Sequence, residues 1–79
     1  NVFPNPTNGK LNVILEASDA QNAQLRICDI TGRTVLQHNA TCTSGSNTII
    51  LDMESLPNGY YLLVIDNGNA SSTMRVVKN

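Results

Sequence analysis

The sequence predicts an all-β protein, a seven-stranded immunoglobulin-like β-sandwich of antiparallel Greek-key type, and three observations predict it. Clusters of Pro, Asn, Asp, Ser and Gly punctuate the 79 residues at regular intervals, as turns do. Between them lie short apolar runs, rich in Val, Ile, Leu and Tyr, that alternate with a period near two. No stretch offers a convincing helix. The punctuation leaves strands at about 1–3, 10–17, 23–30, 33–39, 47–52, 59–66 and 71–78.

The first strand is short because Pro4-Asn5-Pro6 and Asn8-Gly9 follow it at once. In the second, Leu11, Val13 and Leu15 share one face and Lys10, Asn12 and Glu16 the other, so one side is dry; Ile14 breaks the alternation. In the third, Leu25 and Ile27 share a face, and Arg26 and Cys28 share the opposite one. That parity predicts Cys28 on the outer surface of its sheet. Asp29-Ile30-Thr31-Gly32 then reads as a tight hairpin, with the Asp carboxylate capping turn amides and Gly supplying a positive φ. The fourth strand carries the lone histidine, His38, as a solvated residue.

Asp52 to Leu56 forms at most a single turn, capped by Asp52 and stopped by Pro57. Leu56-Pro57-Asn58-Gly59 turns the chain into the sixth strand and carries it from one sheet to the other. Tyr61, Leu63 and Ile65 face one way along that strand, and Tyr60, Leu62 and Val64 the other. Apolar residues on both faces predict a central strand. A tyrosine at such a corner ties its hydroxyl to nearby backbone. Asp66-Asn67-Gly68-Asn69 closes a last hairpin.

At this length the chain is one domain, 1–79, since two halves would each be too small for a core. It buries about 60–65% of its unfolded surface, which predicts a net stability of roughly 4–10 kcal/mol. Such a margin leaves little for strained catalytic geometry. The chain opens Asn-Val-Phe with no charged leader, and it lacks a run of 18 apolar residues. It therefore reads as a piece of a larger protein with no membrane span.

Composition excludes several classes of function. Charged residues are only 14% of the chain and the net charge is −1. The five basic residues, Lys10, Arg26, Arg33, Arg75 and Lys78, are scattered, so no basic stripe exists to bind nucleic acid. Two Cys separated by thirteen residues, with His38 between them, lack the close spacing of a structural metal site. Asp52 and Glu54 could reach a calcium ion, but turn capping explains them as well. His38 has no nucleophile or orienting acid at a motif spacing, so no catalytic residue, cofactor or enzymatic activity is expected. Asn67-Gly68-Asn69 is a turn and not a phosphate cradle. Phe3, Tyr60 and Tyr61 are the only aromatics, which disfavours a sugar platform.

Cys28 and Cys42 leave one disulfide open. Formed, it would contribute about 3 kcal/mol on the chain-entropy estimate; reduced, the two thiols only fill space.

Four segments stand out together. They are Val2-Phe3-Pro4-Asn5-Pro6-Thr7-Asn8-Gly9 at the head, Asp29-Ile30-Thr31-Gly32-Arg33-Thr34-Val35 mid-chain, Leu56-Pro57-Asn58-Gly59-Tyr60-Tyr61-Leu62 at the corner, and Met74-Arg75-Val76-Val77-Lys78 at the tail. In this order they resemble the type A C-terminal sorting domain of the type IX secretion system, over nearly the whole chain. The resemblance implies an immunoglobulin-like sandwich at the end of an exported Bacteroidetes protein. That protein would travel through the periplasm to the cell surface or beyond. The expected partners are the outer-membrane translocon, which reads the domain, and a cysteine-protease sortase that removes it.

Carried over by position, Pro4, Asn5, Pro6 and Gly9 match the head motif and Gly32 and Arg33 the mid-chain pair. Leu56, Gly59 and Tyr61 match the corner, and Arg75, Val76, Val77 and Lys78 the tail. Pro and Gly in these motifs set backbone angles, and Leu56 and Tyr61 belong to a core, which leaves the exposed tail strand for a partner to read. Cys28 departs from the family pattern, and with Cys42 it implies a local disulfide formed after export. Two other classes of function remain open on this reading: a small secreted binding module for carbohydrate or protein, and a structural module that homodimerises through a strand edge.

Overall fold

β-branched and aromatic residues suit a pleated, half-buried surface, and the turn clusters stop each run before it outgrows the sheet. The computed structural model describes residues 2–68 and 70–79 and contains seven strands. These are β1 (Val2–Phe3), β2 (Lys10–Ala17), β3 (Gln21–Cys28), β4 (Thr34–Cys42), β5 (Gly45–Asp52), β6 (Gly59–Asp66) and β7 (Ser71–Lys78). Asn1 of the first predicted strand and Asn69 of the last predicted turn lie outside the described residues. The strands form two antiparallel sheets, one in the order β1-β2-β5 and one in the order β4-β3-β6-β7. The chain crosses between sheets at β2–β3, β4–β5 and β5–β6, as a sandwich requires.

Three strands have the predicted bounds, and three others shift because pairing overrides local composition. The third runs 21–28 instead of 23–30, since the Asp29 carboxylate takes the next amides into a turn. The fourth extends to Cys42 because β3 begins at Gln21 and the two residues pair. The fifth begins at Gly45, opposite Ala17, although Gly-Ser-Asn reads locally as a turn.

The inward faces interdigitate into one core. Leu11, Val13, Leu25, Ile27, Leu51, Leu63 and Val76 are fully or nearly fully buried. Met53, just after β5, completes the core at 0% exposure. β6 is central, between β3 and β7, with Tyr61 and Leu63 buried. Its opposite face stays open: Tyr60 and Leu62 are exposed and Val64 is half-buried.

Of the two cysteine expectations, one holds in part and the other is overturned. Cys28 does face outward, as its parity predicts, beside the exposed Leu62 and opposite in sense to the core residue Ile27, but it is covered there rather than superficial, with its thiol 3.8 Å from Thr34 Oγ1. The Cys28–Cys42 disulfide does not form, and both thiols are free. In the β3–β4 hairpin Cys28 pairs with Thr34, while Cys42 pairs with Gln21. Seven residues of extended strand, about 23 Å, therefore separate the thiols, against a Cα separation of about 7 Å that a disulfide can span.

Candidate functional site

Strand register brings the four motif segments to one end of the sandwich. Lys10 pairs with Asp52, Cys28 with Thr34 and with Leu62, and Gly59 with Lys78. The head, the mid-chain hairpin, the corner and the tail therefore share a pole.

The head segment works as a strap along the outer edge of β7. Pro4 and Pro6 each follow a cis peptide bond and have no N–H to donate. Between them the Asn5 amide stands in for a strand: its Nδ2 donates to Arg75 O at 2.9 Å and its Oδ1 accepts from Val77 N at 3.0 Å. Thr7 continues the pairing, its N–H donating to Val77 O at 2.8 Å and its carbonyl accepting from Asn79 N at 2.9 Å. Its side chain is fully buried, with Oγ1 donating to Lys10 O at 2.7 Å and accepting from Gly9 N at 3.1 Å. Gly9 lies close against the Glu54 side chain. Its carbonyl accepts from Met53 N at 2.9 Å, and a Cβ there would lie 2.6 Å from Glu54 Cγ.

The mid-chain hairpin is held as the sequence predicts. Asp29 Oδ1 accepts from Thr31 N at 2.9 Å, from Arg33 N at 3.1 Å and from Thr31 Oγ1 at 2.6 Å. Gly32 takes φ +90, a conformation L side chains rarely adopt. The Arg33 guanidinium pairs with Asp29 Oδ2 at 3.3 Å. These donors, the Thr31 hydroxyl foremost, hold the Asp29 pKa below the ordinary carboxylate value.

At the corner, Tyr61 donates its hydroxyl to Pro57 O at 2.5 Å, the predicted tether of side chain to backbone. Leu56 N donates to Met53 O at 3.0 Å, closing the turn. Lys78 reaches back from the tail, and its ammonium donates to Leu56 O at 3.0 Å and to Asn58 Oδ1 at 3.3 Å. Gly59 opens β6 opposite Lys78.

The tail is less exposed than expected. Val76 is core and Lys78 is buried and committed to the corner, so only Arg75 and the half-buried Val77 reach the surface. Arg75 borders an open depression of about 420 Å³ on the outer face of the four-stranded sheet, lined with Asp29, Ile30, Tyr60, Tyr61 and Leu62.

The other candidates stay apart from one another. Lys10 bridges Asp52 at 3.0 Å and Glu54 at 3.5 Å. The Glu54 amide and Lys10 lower the Asp52 pKa, while Asp52 raises that of Lys10. Both acids considered for calcium are thus occupied. His38 is exposed on β4, and among the described residues no three His, Cys, Asp or Glu side chains gather into a metal-binding group. Thr7, Met53 and Asn58 are the members of this pole that sequence reasoning passed over. The i,i+2 hydroxyl-to-amide turn at Thr7–Gly9 is the local signal that would have identified Thr7.

A family model described as the secretion system C-terminal sorting domain matches residues 1–79, the entire chain. No curated protein matches it.

Proposed function

The chain belongs to the secretion system C-terminal sorting domain family, and from that premise we propose that the machinery reads it at the motif-bearing pole, through the outer face of the tail strand. The domain is a C-terminal sorting signal for type IX secretion, and it directs its protein across the outer membrane to the cell surface or extracellular space. It acts as an address and performs no catalysis.

One observation carries the proposal: the head, corner and tail motifs are hydrogen-bonded to one another. Asn5 and Thr7 lock β7, and Lys78 locks the corner. Most of the motif residues thereby build the label, which leaves Arg75 and Val77 to be read. A sortase of the cysteine-protease kind then frees the cargo by cutting upstream of Asn1. A protease needs an extended, unpaired segment, and from Val2 onward the head is paired to β2 and β7.

The test is a gain of function. Residues 1–79 are fused to the C-terminus of a periplasmically targeted reporter in a cell with a type IX system. Surface or extracellular reporter is expected, and a reporter that stays in the periplasm as the unfused control does would refute the assignment. Deleting residues 75–79 would be less informative, because it removes Val76 from the core along with the label.

One further observation favours self-association. β7 is strapped along its edge, whereas β4, nine residues long, has β3 on one side and, among the described residues, no strand of its sheet on the other. It carries no Lys, Arg, Asp, Glu or Pro, the residues that blunt an edge. A homodimer paired through β4 is the expected form at high concentration, and sedimentation of the domain against a Gln37→Pro variant tests it.

A further inference from the structure

The tail strand has four sides, and three of them are closed. One edge pairs with β6; along Arg75–Asn79 the other is sealed by Asn5 and Thr7; the inner face packs Val76 into the core. A partner that reads the tail must therefore approach the outer face of the four-stranded sheet.

That face has a definite chemistry. Tyr60, Leu62 and Val64 of β6 form a central apolar row, and Val77 lies beside Tyr60. Ile30 overhangs the row from the hairpin at 83% exposure, and Tyr60 is 64% exposed. Two arginines flank the row: Arg75 pairs with Leu62 from β7, and Arg26 pairs with Val64 from β3.

Strand spacing and a two-residue offset put their Cα atoms about 12 Å apart. Neither guanidinium has an ion-pair partner among the described residues, where Lys10 and Arg33 are both paired. The nearby Asp29 carboxylate is taken by Thr31 and Arg33. Asp66 lies at the far end of the strand and accepts from Gly68 N.

We infer that this face docks an extended protein segment that carries an apolar side chain flanked by carboxylates, the apolar group settling on Tyr60 and Leu62 and the carboxylates meeting Arg75 and Arg26. The inference rests on the sorting reading and names the chemistry of the partner. Charge complementarity supplies the acidic requirement, and the planar guanidinium suits carboxylate geometry. An anionic membrane surface fits less well, since such surfaces select clusters of four to eight basic residues and this face has two.

The test places p-benzoylphenylalanine at position 60 of the full-length cargo protein and maps the photo-adduct in cells with an active type IX system. Arg26→Glu and Arg75→Glu are assayed for export alongside. Circular dichroism of the 79-residue domain checks that each variant folds; Arg75→Glu, at an exposed position, carries the test alone if Arg26→Glu does not.

The expected adduct lies on a secretion-machinery protein within a few residues of an Asp or Glu. Arg75→Glu lowers export about tenfold, Arg75→Lys retains most of it, and Asp/Glu→Arg in the mapped segment restores export of the Arg75→Glu cargo. An adduct on lipid, an adduct far from any carboxylate, or normal export of the folded Glu variants would overturn the inference. In each case loss of export on removal of the whole domain leaves the sorting reading standing, whereas export that survives that removal overturns both.

Discussion

Replacing Asn5 by alanine removes a side chain that pairs with the backbone of β7 on both of its polar atoms. The amide donates to Arg75 O at 2.9 Å and accepts from Val77 N at 3.0 Å, across 70 and 72 residues of sequence. Each bond is exposed, so water replaces part of what is lost, and a net contribution of about 0.5–1 kcal/mol apiece is appropriate. The expected loss is about 1–2 kcal/mol.

For a domain of this length, 1 kcal/mol corresponds to about 6 °C at the midpoint, so Asn5→Ala should lower the thermal midpoint by about 6–12 °C. Scanning calorimetry measures this shift, and amide hydrogen exchange localises it. Val77 N–H should lose protection, while Tyr61 and Leu63, inside the β3–β6–β7 ladder, should change only by the global destabilisation. A midpoint within 1 °C of the parent, together with unchanged protection at Val77, would show that the strap does not close the β7 edge.

Three further outcomes follow from the same geometry. Lys78→Met removes the ammonium that meets Leu56 O and Asn58 Oδ1 and leaves a carbonyl unmet, so unfolding free energy from urea titration should fall by about 1–3 kcal/mol. Both cysteines should resist alkylation in the folded protein and react after unfolding without reductant, and intact mass should be the same with and without reductant. Because the folded pKa of Asp29 lies below its unfolded value, its contribution is fully present above about pH 4 and is lost as pH falls through the folded pKa. An Asp29→Asn variant, which keeps the acceptor oxygen, should differ from the parent at pH 6 in urea midpoint, and the difference should shrink as pH falls below about 4.

Much of this fold was legible residue by residue. The period-two alternation of β2 assigned Leu11 and Val13 to the core. The doubly apolar β6 predicted a central strand, and Asp-Ile-Thr-Gly predicted the capped hairpin. These are local properties, written in side-chain parity and turn chemistry, so the chain reports them without its partners. The four motifs were legible as well, but as separate stretches. Where local reading failed, the cause was pairing between distant segments: β4 runs on to Cys42 because Gln21 lies across from it, and β5 begins at a Gly-Ser-Asn stretch because Ala17 does.

The sequence alone determined that seven short strands would stack in two layers, and which face of most of them would be dry. Tertiary structure decided what the motifs do. Only register could put Cys28 and Cys42 at opposite ends of one hairpin, bury Lys78 against the corner, and lay Asn5 along the edge of β7. The reason is that a strand leaves half its hydrogen-bonding groups on each side, and the segment that satisfies them can lie seventy residues away, where no local pattern records it.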